Sequence, residues 1–412
     1  MSLKVVTLGC RINTYESEVI KQMPSDIDAI VVNTCAVTGE AERQCRQTIR
    51  KLRRENPDAF IIVTGCAAQI APEKYAAMPE VDRVLGNLEK LSAVNFKKAA
   101  PAYNVGPLST LSEEPFSSAL IGGFEGRNRA FLQIQQGCDN ACTFCIVTKA
   151  RGKNRSCPPS RVLAEAEKLI KAGFTEFTLT GVNIADYGKD KPEYGNLTSL
   201  AALLLSSFPA IARLRFSSLD IAALDDDFVA LMASEKRLMP HLHFSLQSGD
   251  DLILKRMGRR HSRADTLALC RKLKAARPDI IFGADFIAGF PTETETMFAN
   301  TLTLVEEVPI LLTHVFPFSE REGTPAAKMP PVRPEIRKER AKRLRDLNSR
   351  MLTAYFKSLK GSTETVLLES ENRGISEHYI HVNLLTPHKA GEMVRVKIVG
   401  HKGKELLGEV ID

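Results

Sequence analysis

Short apolar runs of strand length recur through most of this chain with helix-length stretches between them, and that alternation limits the possible folds more than any other feature. In the first 98 residues the runs are Lys4–Leu8, Ala29–Asn33 and Phe60–Thr64, and helical patterns cover Thr14–Gln22 and Glu40–Glu55. Strands that are apolar on nearly every position are buried on both faces, so a parallel sheet covered by helices is expected for 1–98. Periodicity then fails over residues 99–129, which carry Pro101, Pro107, Pro115 and Gly122-Gly123 and read as a linker. It resumes over 130–332. Strands are predicted at Phe131–Gln136, Glu176–Thr180, Arg213–Ser218, His243–Gln247, Ile280–Ala288 and Thr313–Phe318, and helices at Ser160–Ala172, capped by Ser160, and Ser262–Ala276. Six such units suggest a partial (β/α)6 barrel. An open doubly wound sheet fits the pattern almost as well, because periodicity cannot close a barrel.

Two further segments follow. Residues 333–361 place Ile336, Leu344, Leu347, Met351, Tyr355 and Leu359 at helical spacing, with ten Lys/Arg against three Asp/Glu on the segment as a whole. That surplus equals the net charge of the entire chain, +7. Residues 362–412 carry short β runs at Thr365–Leu368, Tyr379–Asn383, Met393–Val399 and Leu406–Ile411, which predict a small antiparallel β-barrel. The overall class is therefore α/β.

A length of 412 residues allows two or three domains with cores of their own. No stretch reaches the ~18 apolar residues of a membrane span, and the chain runs from Met1 directly into a strand with no leader-like segment, so a cytoplasmic protein with no membrane partner is expected. Nine cysteines are too few, and odd in number, for a disulfide framework. Clustered cysteines in such a chain point to metal or redox chemistry instead.

The sharpest cluster is Gly137-Cys138-Asp-Asn-Ala-Cys142-Thr-Phe-Cys145, directly after the first strand of the longer β/α segment. Its thiolates would sit at the C-terminal mouth of that strand, where β/α proteins bind ligands. Three thiolates can hold three irons of a [4Fe–4S] cluster and leave the fourth open. A zinc site is the alternative, but it wants four ligands, and no second cysteine pair or histidine follows nearby. This CxxxCxxC pattern resembles the radical S-adenosylmethionine (SAM) superfamily. The resemblance implies Cys138, Cys142 and Cys145 as cluster ligands, SAM bound through the open iron and cleaved to a 5′-deoxyadenosyl radical, and Phe144 close to the adenine.

Cys10, Cys35 and Cys66 each stand at or just past the end of a predicted strand. Strand ends of a parallel sheet share one edge, so cysteines far apart in sequence converge there, and a second cluster is expected. Singly, each would read as a buried apolar cysteine. Taken together the chain resembles the methylthiotransferases of that superfamily over its full length: a three-cysteine N-terminal domain, a radical SAM barrel and a C-terminal RNA-binding barrel of the TRAM kind. Matching stretches are Thr180-Gly-Val-Asn183, Leu246-Gln247-Ser248-Gly249, Lys255-Arg256-Met257, Gly289-Phe-Pro-Thr-Glu293 and Ser319-Glu-Arg321. The resemblance implies that Asn183, Gln247, Arg256 and Asp285 line the SAM or substrate pocket, with Asn183 and Gln247 also toward the cofactor. Cys45, Cys157 and Cys270 are expected to be ordinary thiols.

Charge favours a nucleic-acid substrate. Basic sets occur at Arg43–Arg54, at Lys149, Arg151, Lys153, Arg155 and Arg161, at Lys255–Arg263, and over 333–361. The stretches around Cys10-Arg11-Ile12-Asn13 and Leu179–Ile184 look most like the MtaB branch, which acts on N6-threonylcarbamoyladenosine at position 37 of tRNA and gives the 2-methylthio derivative. That branch implies the tRNA anticodon stem-loop as partner, two [4Fe–4S] clusters, one SAM as methyl donor and one as radical source, and an electron donor such as a flavodoxin-type protein. Readings that stay open are isopentenyladenosine-37, a ribosomal-protein side chain, and a non-catalytic zinc- or RNA-binding protein.

Overall fold

The computed structural model describes residues 1–108, 116 and 120–411. Pro115 of the expected linker lies outside the described residues. The first sheet is five-stranded and wholly parallel, in the order β1 (Leu3–Thr7), β2 (Ala29–Thr34), β3 (Phe60–Gly65), β4 (Arg83–Leu85) and β5 (Tyr103–Asn104). Helices α1 (Arg11–Lys21), α2 (Gly39–Glu55), α3 (Cys66–Ile70) and α4 (Pro72–Ala76) make the crossovers. Every residue of β2 is buried, as an apolar run covered on both faces should be. The edge strand β5 falls inside the stretch read as linker: two residues of a Pro- and Gly-punctuated run pair with Val84 and Leu85.

The central segment supplies β6 (Ala130–Gln133), a short antiparallel pair β7 (Gln135–Gln136) and β8 (Arg155–Ser156), α5 (Val147–Arg151) between them, then α6 (Pro159–Lys171), β9 (Glu176–Thr180), α7 (Leu197–Ser207), β10 (Arg213–Phe216), α8 (Asp226–Ser234), β11 (His241–Gln247), α9 (Asp251–Met257), α10 (Arg263–Ala276), β12 (Ile281–Ala288), α11 (Glu295–Glu307) and β13 (Ile310–Pro317). Strands β6, β9 and β10 form one parallel sheet and β11, β12 and β13 another. Parallel bridges Leu214–Leu238 and Leu219–Phe244 join them across the β10–β11 seam. Six strands in that order make the open (β/α)6 barrel. One helix start differs from expectation. Pro159 takes the first position of α6, where proline needs no hydrogen-bond donor, so the cap falls on Pro158 and not on Ser160.

Side-chain alternation sorts the barrel strands. Phe177, Leu179, Leu214, Phe216, Leu242, Phe244, Phe282 and Phe286 belong to the main apolar core under the helices. The opposite row, Glu176, Arg213, Arg215, His241, His243 and Asp285, is polar and faces the lumen, as the pairs Glu176–Arg213 and Asp285–His243 show.

Helix α12 (Pro334–Ser358) packs along β13 and β12 and buries Ala341, Leu344, Leu347, Leu352 and Phe356. Its basic face is partly consumed within the protein: Arg340 and Arg343 pair with Glu293 and Glu295. The tail forms a closed barrel from β14 (Thr363–Ser370), β15 (Arg373–Ser376), β16 (His381–Leu384), β17 (Met393–Lys402) and β18 (Glu405–Ile411). One of its pairings, β16 with β18, is parallel, which corrects the purely antiparallel expectation. Its core shares Ile281 and Leu311 with the ends of β12 and β13, so the tail is docked on the N-terminal ends of the barrel strands. No helix among the described residues is long and apolar enough to cross a membrane.

Candidate active site: two cysteine triads, each with a buried arginine

In the first sheet, register carries the chemistry. Thr7, Asn33 and Thr64 are aligned neighbours, so the chain leaves β1, β2 and β3 at one edge. Cys10 caps α1, Cys35 follows β2, and Cys66 is the first residue of α3. The three thiols are close enough to bias one another's ionisation. A Cβ on Gly9 would lie 2.7 Å from Cys35 Cβ and 2.9 Å from its Sγ, so only glycine, here at φ +102°, lets the Cys10 loop reach Cys35. Burial raises the Cys10 thiol and pushes Cys35 up to about 12. Thiols of that kind stay protonated until a metal displaces the proton.

Beneath them lies a charged network that sequence reasoning missed. Glu16 is buried and accepts from Lys90 Nζ at 2.6 Å, from both terminal nitrogens of Arg151, and from Gln136 Nε2 at 3.2 Å. Burial alone would raise its carboxyl, but Arg151 and Lys90 hold it down at about 2. Arg151 also donates through Nε to Cys66 Sγ at 3.2 Å and through Nη2 to Asn13 Oδ1 at 2.7 Å. The expected phosphate contact for Arg151 is therefore wrong: its guanidinium is inside the protein, between a carboxylate and a thiol. Its partners lie 135 and 85 residues away along the chain, with no local signal. Cys45 also differs from an ordinary core thiol, because its Sγ accepts from the Cys35 backbone N–H at 3.4 Å and braces that loop.

The second triad occupies the loop after β7. Cys138 N–H donates to the Gly152 carbonyl at 3.0 Å, and Thr143 is pinned to the end of α9 by bonds to the Met257 and Arg256 carbonyls at 2.9 and 2.8 Å. Backbone N–H groups of Asn140 and Val147 point at the sulfurs of Cys138 and Cys145, each at 3.4 Å. Arg259 Nη1 lies 3.6 Å from Cys142 Sγ, and its other terminal nitrogen is anchored on Asp220 at 3.1 Å. Burial pushes Cys138 up to about 11 and raises Cys145. Three thiols that receive N–H donors and a guanidinium suit a [4Fe–4S] cluster, whose sulfurs and thiolates carry net negative charge. The two triads are close neighbours: α5 starts two residues after Cys145 and ends at Arg151, and it packs on α3, which begins with Cys66. Five helical residues span only about 7 Å.

The remaining expected residues are scattered around the mouth and lumen. Asn183 is buried, donating to Asp186 Oδ2 at 2.8 Å, while its N–H meets Gln135 Oε1 at 2.9 Å. Gln247 ends β11 at φ 72° and Arg256 donates to the hydroxyl of Thr292, itself at φ 69°. Left-handed backbone at residues other than glycine is strained and collects at functional sites. Phe144 packs edge-on against Phe290 at 6.4 Å, in an apolar group with Met257 and Phe318. Asp285 Oδ1 accepts from His243 and His314, each at 3.1 Å, and these two imidazoles hold its carboxyl below the usual range against the effect of burial. The ligand atoms of His243, Asp285 and His314 lie within 4.8 Å of one another, the one such donor group among the described residues.

The basic sets shrink on inspection. On α2, Arg43, Arg46, Arg50, Lys51 and Arg53 each face a carboxylate. Arg260 and Arg263 meet Asp220 and Glu307.

Residues 132–305 match the radical SAM superfamily, and residues 2–86 match the family described as uncharacterized protein family UPF0004. Among curated relatives, the threonylcarbamoyladenosine tRNA methylthiotransferase MtaB of Rickettsia prowazekii is 46% identical over 400 residues, covering 96% of this chain and 94% of the relative. The tRNA-2-methylthio-N(6)-dimethylallyladenosine synthase of a Ruegeria species is 35% identical over 100% of this chain and 99% of its own. Among solved structures, the radical SAM methyltransferase TsrM of Kitasatospora setae, with cobalamin and a [4Fe–4S] cluster bound, superposes with a TM-score of 0.53 at 16% identity, covering 77% of this chain and 65% of that one, which speaks for the fold alone. Full-length identity at this level decides membership: the chain belongs to the MtaB family of radical SAM methylthiotransferases.

Proposed function

We propose that this transferase converts N6-threonylcarbamoyladenosine at tRNA position 37 to its 2-methylthio derivative, with Cys138, Cys142 and Cys145 holding one [4Fe–4S] cluster and Cys10, Cys35 and Cys66 a second. The observation that carries the substrate is the 46% identity to one threonylcarbamoyladenosine enzyme over 96% of this chain; other threonylcarbamoyladenosine enzymes and the dimethylallyladenosine enzymes both stand near 35%. The observation that carries the second cluster is the convergence of three thiols at one sheet edge under an arginine.

The adenine C2–H bond is inert toward acids and bases, so a carbon radical is needed to open it. With clusters bound, the two triads supply a one-electron source for reductive SAM cleavage and a place to hold sulfur, so each product consumes two SAM molecules, one as methyl donor and one as radical source. The chain's own residues do the placing. Arg259, fixed by Asp220, and the N–H groups of Asn140 and Val147 stabilise negative charge at the barrel triad. Arg151, fixed by Glu16, does the same at Cys66. In this reading Asn183, Gln247, Arg256 and Asp285 belong to the SAM or substrate pocket, and Phe144, packed edge-on against Phe290, lies close to the adenine. Electrons come from an external donor, such as a flavodoxin-type protein, in the cytoplasm where tRNA is modified.

Nucleoside mass spectrometry of tRNA from a strain lacking the gene tests this reading. The 2-methylthio-threonylcarbamoyladenosine should vanish, with its unthiolated precursor accumulating, and return on complementation. Loss of a methylthio-isopentenyladenosine instead, or an unchanged nucleoside profile, would overturn it.

A further inference from the structure

The tip of the β15–β16 hairpin in the C-terminal barrel, residues 377–380, reaches the floor of the (β/α)6 lumen. Lumen arginines hold the barrel there: Arg215 donates to the Ser376 and Glu377 carbonyls, both at 2.8 Å, and Arg213 to the Ile375 carbonyl at 3.3 Å and, on β14, to the Thr365 carbonyl at 2.6 Å. Tyr379 sits at the apex with φ 62°, a backbone conformation that a bulky residue adopts only where its surroundings force it. Its ring stacks on His241 at 5.0 Å with an 8° interplanar angle, and the guanidinium groups of Arg11, Arg129 and Arg215 lie 5.3–5.7 Å from its centre. Burial alone would raise its hydroxyl, but Arg11 and Arg129 pull it down to about 8.

The cations differ in their commitments. Arg215 and Arg213 share the single carboxylate of buried Glu176, and Arg129 pairs with Glu369 at 2.6 Å. Arg11 pairs with no carboxylate among the described residues; its Nη2 donates to the Tyr379 hydroxyl at 2.8 Å. It is half-buried and follows Cys10 directly, so its base lies beside one triad and its head reaches the lumen floor. One further feature marks the floor as a receiving site. His241 is 6% exposed, yet its Nε2 has no hydrogen-bond partner, and buried polar atoms are rarely left so. Gly283 lets both imidazoles pack closely on β12, since a Cβ there would stand 2.5 Å from His243 Nδ1, 2.8 Å from the Leu312 carbonyl and 3.3 Å from His241 Nε2.

We infer that Arg11, fixed by Tyr379 of the C-terminal barrel, binds the carboxylate of the threonyl group on the target nucleoside, with His241 donating to it. This rests on the proposed substrate and goes beyond it: the C-terminal barrel supplies part of the catalytic pocket as well as a tRNA-binding surface. A planar guanidinium with no internal counter-ion matches a carboxylate bidentately. A dimethylallyl group offers no such partner and would leave Arg11 unpaired in a closed site, which penalises the wrong substrate.

The test uses full-length, cluster-loaded protein and two anticodon stem-loop RNAs, one carrying threonylcarbamoyladenosine at position 37 and one carrying its methyl ester. A charged hydrogen-bond pair is worth about 10- to 100-fold. Wild type should prefer the acid over the ester by that factor in kcat/KM. Arg11→Gln should reduce the preference to near unity, mainly through KM, with iron content unchanged; Arg11→Lys should restore part of it, and Tyr379→Phe should fall between. Equal loss on acid and ester in Arg11→Gln, or a wild type indifferent to esterification, overturns the inference while leaving the substrate reading intact. A wild type that methylthiolates neither RNA overturns the substrate reading itself, and this inference with it.

Discussion

Replacing Glu16 by Gln keeps the shape of the side chain and removes its charge, and the structure says what that costs. Glu16 is the one carboxylate between Lys90 and Arg151, all three buried, with Lys90 Nζ at 2.6 Å and Arg151 Nη2 at 2.9 Å. A carboxyl drawn from its ordinary 4.5 to about 2 contributes about 3 kcal/mol. Breaking a buried ion pair from one side costs a similar 3–5 kcal/mol, because the surviving cations stay buried without a counter-charge. The sign is that of a depressed acid: the stabilisation is complete above pH 4.5 and lost as pH falls toward 2. Urea denaturation of the metal-free protein under reducing conditions measures it. The chain has no tryptophan, so far-UV circular dichroism is the probe. At typical urea dependence the first transition should fall by about 1–3 M at pH 7. Because Glu16 also aims Arg151 at Cys66, reconstituted Glu16→Gln should bind iron poorly at that triad. An unfolding free energy within about 0.5 kcal/mol of wild type would refute the reasoning, since no such network would then be stabilising the fold.

Two glycines should separate the triads without touching a sulfur. Gly9→Ala forces a Cβ against Cys35 and should lower iron at the N-terminal triad alone, whereas Gly137→Ala, at φ +68°, overlaps the Lys153 carbonyl and should lower iron at the barrel triad; iron counts and Mössbauer or EPR spectra distinguish the cases. Cys45→Ala removes two weak thiol hydrogen bonds to the Cys35 backbone, worth about 1 kcal/mol, and should narrow the urea stability margin by that amount, while Cys45→Ser restores it. Binding of tRNA should weaken steeply between 50 and 200 mM salt, but with a slope smaller than the raw basic count suggests, since the α2 arginines already face carboxylates; a slope near ten would contradict that pairing.

What the sequence revealed follows from how local each cause is. Glu176–Thr180 begins and ends as predicted because alternation of polar and apolar residues is a local pattern that needs no tertiary information to be recognised. The shared edge of Cys10, Cys35 and Cys66 was legible through strand ends, since parallel register turns three positions separated by dozens of residues into one edge, while Cys138, Cys142 and Cys145 announce themselves by local spacing. The helix after Pro158 was misplaced by a residue or two, since a Ser beside a proline pair looked like the cap while Pro159 itself opened the helix. Strand Arg373–Ser376 escaped notice because four residues with a glycine carry little pattern. Long-range electrostatics were the least visible part. Arg151 looked like one of a basic group facing phosphate, and only the fold could show that Glu16 waits for it; likewise Arg11 shows its partner, Tyr379, only once the C-terminal barrel is docked under the lumen.

The division of labour between the triads is the central claim, and one measurement meets it directly: anaerobic quantification of 5′-deoxyadenosine and of methylthiolated RNA, with iron, in alanine variants of each triad. Cys138→Ala, Cys142→Ala and Cys145→Ala should form neither product. Cys10→Ala, Cys35→Ala and Cys66→Ala should still cleave SAM to 5′-deoxyadenosine yet transfer no methylthio group, and each set should keep about half of roughly eight irons per chain. Identical loss of SAM cleavage in both sets, or a Cys35→Ala protein that still methylthiolates RNA, would contradict the account.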